Sequence, residues 1–255
     1  MEAYEKARFD RLCEEAIRSA RTQGEAGIGT LAEKRLHAVI KRYLCEDEDC
    51  HEVGVKDTRY VSDVRIGREI YEVQTGSFYP MRKKIAYYLE NTDCTVTVVH
   101  PIAVEKWVTW YDPQTGEMLP RKRSPRKGRA IDLLPELQSL IPHLQNPRLR
   151  FCLLLIEAED IRILSNRTGN RKRGAVKYER IPLSLIDRLD FEAPADFARF
   201  LPTDLPSPFA AKDFARLTGL RGRDAYFAIY SLEALGLIAP DGKIGRGKAW
   251  RRCDV

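Results

Sequence analysis

The stretch that decides the fold spans residues 59–75 and reads RYVSDVRIGREIYEVQT. Two runs rich in β-branched residues flank Gly67 and Arg68, a pair typical of a two-residue hairpin turn with glycine first. If these two residues form the turn, the numbers of facing residues sum to 135. Asp63 then faces Glu72 across the two strands.

Facing carboxylates on a hairpin need a physical reason, because like charges about 5 Å apart destabilise a strand pair. Asp63, Glu72 and Gln74 share one face of the hairpin. Val61 and Ile70 lie on the same face, so we expect it to be only partly exposed to solvent. A hard divalent cation is the simplest reason, since Mg²⁺ takes one or two carboxylates plus waters. The alternative is a fully solvated hairpin face, and a one-residue slip in register would separate the carboxylates.

The elements around the hairpin follow from hydrophobic periodicity. Residues 2–21 predict a helix, and a second helix begins at Thr30. A short strand at 51–55 precedes the hairpin, and a helix at 80–90 and a strand at 94–99 follow it. Without the N-terminal helix, the order is helix, three strands, helix and strand.

Glu33 is the second unusual carboxylate. On a helical wheel it falls inside the apolar arc, between Ile40 and Leu44, where a glutamate is uncommon unless paired. The alternative is a capping box, in which Glu33 bonds the backbone of Thr30.

A helix glutamate, then Asp63, Glu72 and Gln74 across a hairpin, then a helix and a strand, resemble the PD-(D/E)XK nuclease superfamily over residues 25–102. The resemblance implies an α/β, restriction-endonuclease-like αβββαβ core with a mixed sheet. It also implies metal-dependent hydrolysis of DNA phosphodiester bonds, with Mg²⁺ as the cofactor and Mn²⁺ able to substitute. RNA as a substrate stays open.

The resemblance also implies roles for single residues. Asp63, Glu72 and the backbone carbonyl of Val73 would hold the metal ion, and Glu33 would hold a second ion or a water. These carboxylates and the residues around the attacking water make up the expected catalytic site.

The chain departs from the superfamily pattern at two positions. Ser62 stands where a proline often precedes the aspartate, and Gln74 replaces the lysine, so we expect Gln74 to orient the water without supplying charge. Arg82, Lys83 and Lys84 on the next helix are candidates for that charge, or else a solvated helix face. Arg82 is expected to be the best placed, at the edge of the apolar arc.

Residues 209–252 carry a second resemblance, to a winged helix-turn-helix: two helices, a Gly-Leu-Ile ending and a basic hairpin. In DNA-binding examples the second helix enters the major groove. The expected DNA contacts of this module are Arg221, Arg223, Lys243, Arg246 and Lys248. The alternative is a protein-docking module, because Tyr226, Phe227 and Tyr230 are large aromatics on the second helix.

The formal net charge of +6 is unevenly distributed. Residues 1–110 carry 17 Lys and Arg against 19 Asp and Glu, and residues 111–255 carry 26 against 18. The bias predicts a polyanion-binding half, with solvated loops as the alternative. Two basic loops are expected to contact phosphates, through Arg121, Lys122, Arg123, Arg126 and Lys127 in the first and Arg171, Lys172 and Arg173 in the second.

The middle of the chain has weaker signals. Residues 104–120 predict a hairpin, 121–129 a loop, 131–141 a helix, 149–165 a strand pair and 182–200 a mixed, partly helical segment.

Three prolines in residues 202–208 indicate a linker. We therefore expect a nuclease core at 1–110, an α+β extension with basic loops at 111–201 and the small winged-helix domain at 202–255.

Composition excludes several classes of protein. Apolar residues make up 44% and charged residues 31%, which excludes wholesale disorder. No apolar run reaches the ~18 residues of a membrane helix, and the N-terminus lacks a signal peptide, which predicts an intracellular, cytoplasmic protein without membrane contact. The six cysteines form no CxxC pair. Cys45, Cys50 and His51 are the only cluster that could bind zinc, but a fourth ligand is not evident and the acidic run between them favours a solvated loop.

Three functions remain open at this stage. The first is the DNA endonuclease, the second a non-catalytic DNA-binding regulator on the same core, and the third an interaction module of a larger assembly. Double-strand cleavage usually needs two sites, so a homodimer is one expected partner state, and an assembly through the C-terminal domain is another.

Overall fold

The structure, a computed structural model, describes residues 3–22, 35–55, 58–164 and 175–253. In these ranges the α-helices are α1 (Ala3–Thr22), α2 (Arg35–Leu44), α3 (Arg82–Asn91), α4 (Leu134–Leu137), α5 (Ala211–Thr218) and α6 (Arg223–Ala234). The strands are β1 (His51–Gly54), β2 (Val61–Ile66), β3 (Glu69–Val73), β4 (Thr95–Asp112), β5 (Glu117–Met118), β6 (Lys122–Arg123), β7 (Leu149–Leu164), β8 (Ala175–Phe191), β9 (Phe209–Ala210), β10 (Ile238–Ile244) and β11 (Gly247–Arg252). Glu33, with its capping-box alternative, and the second basic loop with Arg171, Lys172 and Arg173 lie outside the described residues.

Within the described residues, eight strands form one mixed sheet. Its order is β1-β2-β3-β4-β7-β8, and β5 and β6 both pair with β4. β2 and β3 run antiparallel, whereas β3 and β4 run parallel. The protein is therefore of the α/β class, as predicted. None of the helices in these ranges combines the length and the apolar character of a membrane span.

The chain divides into two compact units, each assembled from three segments. The first unit comprises Met1–Val53, Pro101–Arg129 and Leu154–Arg188, and the second comprises Gly54–His100, Ala130–Leu153 and Leu189–Val255. The three consecutive domains expected from the sequence stay a prediction.

In the first unit, α1 packs against α2. Phe9 and Tyr43 meet edge to face with ring centroids 5.2 Å apart, and both rings are buried. Asp10 of α1 accepts a hydrogen bond from the backbone of Leu185 in β8. Helix α1 is therefore held in place by packing against α2 and by a hydrogen bond to β8.

In the second unit, the hairpin has the predicted register. Val64 pairs with Tyr71 and Ile66 with Glu69, so facing numbers sum to 135 and the predicted two-residue turn is confirmed. Gly67 has a φ of +60°, a conformation that other L-residues adopt only at a cost. The glycine therefore determines where the chain reverses, and with it the register.

Helix α3 covers the hairpin side of the second unit. A 3₁₀ turn, Tyr79–Met81, precedes the helix and carries a proline at its start, where a missing N–H does no harm. Ile85 and Tyr88 are fully buried. The parallel pairing of β3 and β4 aligns Glu72 with Val98, so Glu72 lies in the middle of the sheet.

The C-terminal part of the second unit is a helix pair followed by a hairpin. α5 ends at Gly219, whose φ of +71° caps the helix. β10 and β11 pair up to Ile244 and Gly247, which leaves a two-residue turn between them. β9 pairs with β11, and the buried Trp250 stacks on Phe209.

For the middle of the chain, one expectation is wrong and one is confirmed. Residues 149–165 form one strand, β7, instead of a pair, because the stretch holds no Gly, Pro or Asn that would turn it. Residues 182–200 are mixed and partly helical, as expected: β8 continues to Phe191, and a 3₁₀ helix, Pro194–Phe200, follows. Pro182 is tolerated in β8 because β8 is the last strand of the sheet.

Other expectations are confirmed with shifted limits. The hairpin at 104–120 pairs Tyr111 with Met118. The first basic loop contains the short strand β6, which pairs Arg123 with Trp107. The helical segment at 131–141 is α4 between two 3₁₀ helices, Ala130–Leu133 and Gln138–His143.

Candidate active site

Asp63 and Glu72 come from the two strands of the hairpin. The strand pairing runs from Ile66–Glu69 to Val64–Tyr71, and Asp63 and Glu72 are the next residues along their strands. The Asp63 carboxylate accepts a hydrogen bond of 2.7 Å from the backbone N–H of Val73. Asp63 is half-buried, whereas Glu72 is only 3% exposed.

Helix α3 supplies two partners to the Glu72 carboxylate. Lys84 Nζ lies 2.5 Å from Oε2, and the Tyr88 hydroxyl donates to Oε1 over 3.2 Å. Lys84 and Tyr88 are four residues apart and therefore share one face of the helix. Both carboxylate oxygens of Glu72 are thus bound by the same helix.

The electrostatic environment of Glu72 favours its protonated form. Burial raises the pKa of Glu72 to about 7, and the nearby Asp63 charge acts in the same direction. Lys84 and Tyr88 lower this pKa through charge and hydrogen bonds, but do not offset the burial. Burial and Glu72 also raise the pKa of Tyr88, so the phenol is a hydrogen-bond donor at neutral pH.

The structure brings Lys84, rather than Arg82, to this carboxylate. Arg82 donates a hydrogen bond to the carbonyl of Tyr79, and its guanidinium lies over the Tyr79 ring at 3.6 Å. Lys83 is exposed and forms no ion pair with Asp63 or Glu72 among the described residues. Sequence periodicity does not predict this arrangement, because it shows only how close each cation lies to the apolar face of the helix. It does not show which cation lies next to β3.

The backbone of Gln74 is held by two hydrogen bonds, and its side chain points to the loop that follows β3. Its N–H bonds the carbonyl of Val99, and its carbonyl bonds Nδ1 of His100 at 2.5 Å. Its side-chain amide donates to the carbonyl of Ser77. Val73, whose carbonyl was expected to bind the ion, is buried at the end of β3. His100 and Tyr88 carried no sequence signal that set them apart from other core residues.

The C-terminal cations lie on an exposed surface. Arg221, Lys243 and Arg246 are exposed, and Arg223 lies over the Phe227 ring at 5.3 Å. Lys248 pairs with Glu233 at 3.1 Å. Of the aromatic residues on α6, Tyr226 is 48% and Tyr230 41% exposed.

The first basic loop pairs with the chain's own carboxylates. Arg121 stacks on the Trp107 ring at 4.2 Å and reaches Glu159 at 3.5 Å. Arg123 and Lys127 both contact Glu105, and these hydrogen bonds lower the pKa of Glu105. Lys122 and Arg126 of this loop are exposed, and neither forms such an ion pair in the described part of the chain.

No group of three or more His, Cys, Asp or Glu in the described ranges could hold a metal ion. At the zinc cluster considered from the sequence, a ring nitrogen of His51 bonds the carbonyl of Cys45 at 2.8 Å. A pair of carboxylates is sufficient for Mg²⁺, which keeps several waters.

A family model described as a domain of unknown function, DUF8091, matches residues 34–192. Neither the curated proteins nor the solved structures include a match to the chain. The matched region contains the hairpin and α3, and thus Asp63, Glu72 and Lys84. Because the match covers more than half of the chain, the protein belongs to the DUF8091 family.

Proposed function

We propose that this protein is a metal-dependent DNA endonuclease, with a restriction-endonuclease-like core and a C-terminal winged helix-turn-helix that positions the DNA. The observation that carries the proposal is the buried Glu72, which is paired with Lys84 and lies close enough to Asp63 for that charge to raise its pKa. A buried carboxylate with a strongly raised pKa, next to a second carboxylate, marks a candidate functional site.

The order of elements supports the proposal. From α2 to β4 the chain runs helix, three strands, helix and strand, which is the order that the resemblance implies. The antiparallel hairpin and the parallel β3–β4 pair match the expected mixed sheet.

Lys84 is the residue we propose in place of the missing superfamily lysine. The superfamily pattern has this lysine two residues after the glutamate, where this chain has Gln74. Lys84 reaches Glu72 from α3 instead, so a positive charge lies at the carboxylate although the sequence position differs.

The residues present fit a hard divalent ion. Asp63 and Glu72 offer only oxygen donors, and burial keeps the pKa of Glu72 raised in spite of Lys84, so a further cation would stabilise its ionised form. Asp63, Glu72 and the carbonyl of Val73 would hold Mg²⁺ or Mn²⁺. Such an ion polarises the phosphate and lowers the pKa of a bound water.

The chain's own residues have separate roles in this proposal. Asp63 is oriented by the N–H of Val73, and Glu72 by Tyr88. Lys84 stabilises negative charge that develops on the phosphate. Gln74 binds Ser77 in this structure and would have to turn to orient a water.

The C-terminal helix pair and hairpin support the winged-helix part. β9, α5, α6, β10 and β11 follow each other in the order expected for such a module. Arg221 and Arg223 lie at the start of α6, and Lys243 and Arg246 near the hairpin turn, all exposed. Exposed cations at these places suit contacts with DNA phosphates and bases.

The test is cleavage of supercoiled plasmid with Mg²⁺ or Mn²⁺, with EDTA as a control. We expect Asp63→Ala and Lys84→Met to lower the rate by about 100-fold or more. Lys83→Met changes the neighbouring exposed lysine of α3 and should retain wild-type cleavage. Cleavage that persists in Asp63→Ala or in EDTA would exclude this site.

The second candidate is a non-catalytic DNA-binding regulator. The contact of Gln74 with Ser77 favours it, because the side chain is used in a structural bond. A regulator would bind duplex DNA equally well with Asp63→Ala and would not cleave it. An interaction module, the third possibility, would bind DNA weakly and lose its protein partner on Tyr230→Ala.

The same proposal includes an intracellular location and a homodimer for double-strand cleavage. The size of the protein in solution, with and without DNA, tests the homodimer.

A further inference from the structure

A group of cations lies on one face of the sheet in the first unit. Trp107 and Thr109 of β4 bond with Glu157 and Glu159 of β7, so these four side chains share a face. Strand alternation puts Lys106 of β4, together with Asp160 and Arg162 of β7, on the opposite face. The Arg162 guanidinium lies over the ring of Trp110, which is consistent with that assignment.

Two further cations join this group. Arg180 of β8 holds Asp160 with two hydrogen bonds, of 2.7 and 3.1 Å. Arg126 is brought close by the backbone, since Ser124 donates its N–H to the carbonyl of Lys106 and its hydroxyl to the carbonyl of Arg126. We use the name cation cluster for four residues: Lys106, Arg126, Arg162 and Arg180.

The cation cluster holds more positive charge than its carboxylate can balance. Asp160 is 2% exposed and is already engaged by Arg180. Burial lowers the pKa of Lys106, Asp160 raises it, and Arg180, Arg162 and Arg126 lower it again. In the described part of the chain, no carboxylate forms an ion pair with Lys106, Arg126 or Arg162.

One donor in the cation cluster also lacks an acceptor. The Arg162 Nε atom is buried and has no hydrogen-bond partner in the described residues. Partly buried cations that repel one another, with a donor left unsatisfied, are stabilised by a bound anion. Guanidinium groups match phosphate geometry in particular.

We propose that the cation cluster binds phosphates of the duplex DNA backbone. The cations are partly exposed and come from three strands and a loop, which suits successive phosphates better than one enclosed anion. The choice of DNA rests on the proposed function. The cation cluster would hold the substrate without reading its sequence.

The experiment measures binding in EDTA, so that cleavage plays no part. A fluorescein-labelled duplex of about 20 base pairs is titrated with the full-length protein at several KCl concentrations. We expect Lys106→Gln and Arg126→Gln each to weaken binding about 5-fold, and to reduce the slope of log K against log salt by about 0.9. Arg126 is exposed in a loop, so its substitution tests the proposal even if Lys106→Gln fails to fold.

Arg68→Gln is the matched control, because Arg68 is an exposed cation at the hairpin turn. Wild-type affinity and salt slope in both cluster variants would overturn the proposal, as would an equal loss in the control. If Lys106→Gln abolished thermal stabilisation by inorganic phosphate but left DNA binding unchanged, the site would belong to a small anion, and the proposal would fail. Reduced binding by the cluster variants together with an inactive wild-type enzyme would support the cation cluster and refute only the nuclease.

Discussion

Lys84 of helix α3 and Glu72 of strand β3 form an ion pair of 2.5 Å, with the Glu72 side chain 4% and the Lys84 side chain 20% exposed. The pair joins the helix to the central part of the sheet. Breaking a buried pair by removing one partner leaves a charge without compensation, which costs more than losing a surface ion pair. Stability and activity should therefore both depend on this contact.

Lys84→Met should destabilise the protein in a pH-dependent way. The substitution raises the pKa of Glu72 further, so at pH 5 the carboxyl is protonated and the loss is small. At pH 8 the wild-type carboxylate is ionised and paired with Lys84, whereas in the variant it must keep its proton or be buried without a partner, so we expect a loss of about 2 to 3 kcal/mol in the free energy of unfolding. Urea unfolding at both pH values measures this, with Lys83→Met as the control. An equal loss at pH 5 and pH 8 would contradict the prediction.

Glu72→Gln should show how much stability the wild-type protein loses when the Glu72 carboxyl ionises. The folded pKa of about 7 lies above the ordinary value of 4.5, so the wild-type protein binds the extra proton when folded. The resulting stability is complete below pH 4.5 and is lost as the pH rises through 7.

Relative to Glu72→Gln, the wild-type protein should thus lose up to about 3 kcal/mol between pH 4.5 and pH 8. Unfolding of both proteins across this range measures the difference. Glu90→Gln, at an exposed position of helix α3, should follow the wild-type pH dependence. A difference that does not vary with pH would show that the Glu72 pKa is not raised.

Gly67→Ala should destabilise the hairpin by about 1 to 2 kcal/mol, because a Cβ is strained at a φ of +60° although the space around it is open. Gly76→Ala is the matched control, since that glycine has open space and no positive φ, and it should be neutral or slightly stabilising. Thermal unfolding of both variants gives the comparison. Equal effects would mean that the turn conformation does not matter.

Arg221→Ala combined with Arg223→Ala should weaken duplex binding by about 10-fold and leave thermal stability unchanged, because both side chains are exposed. The control is Lys212→Ala, an exposed cation on α5. Anisotropy titrations at two salt concentrations measure the effect. Unchanged binding, together with loss of a protein partner on Tyr230→Ala, would favour the interaction module.

Local signals predicted the hairpin well. Glycine before arginine, flanked by alternating strands, has few alternatives, and the observed register follows from the turn. Long elements were predicted less well. The sequence predicts two strands where β7 is one, because the pairing that stabilises a strand comes from residues distant in sequence.

The sequence also does not show which carboxylates pair with the cations of the first basic loop. Arg121, Arg123 and Lys127 read as free cations along the chain, but the fold brings Glu105 and Glu159 against them. The cation cluster went unnoticed because its members come from three strands and a loop.

The sequence by itself determined the α/β class and the two-residue turn with its register, because turn geometry and strand alternation act over a few residues. Only the tertiary structure decided that Lys84, not Arg82, meets Glu72, and that the cations of three strands meet on one sheet face. These contacts depend on how a helix rotates against the sheet and how distant strands align, and both are set by packing of the whole core.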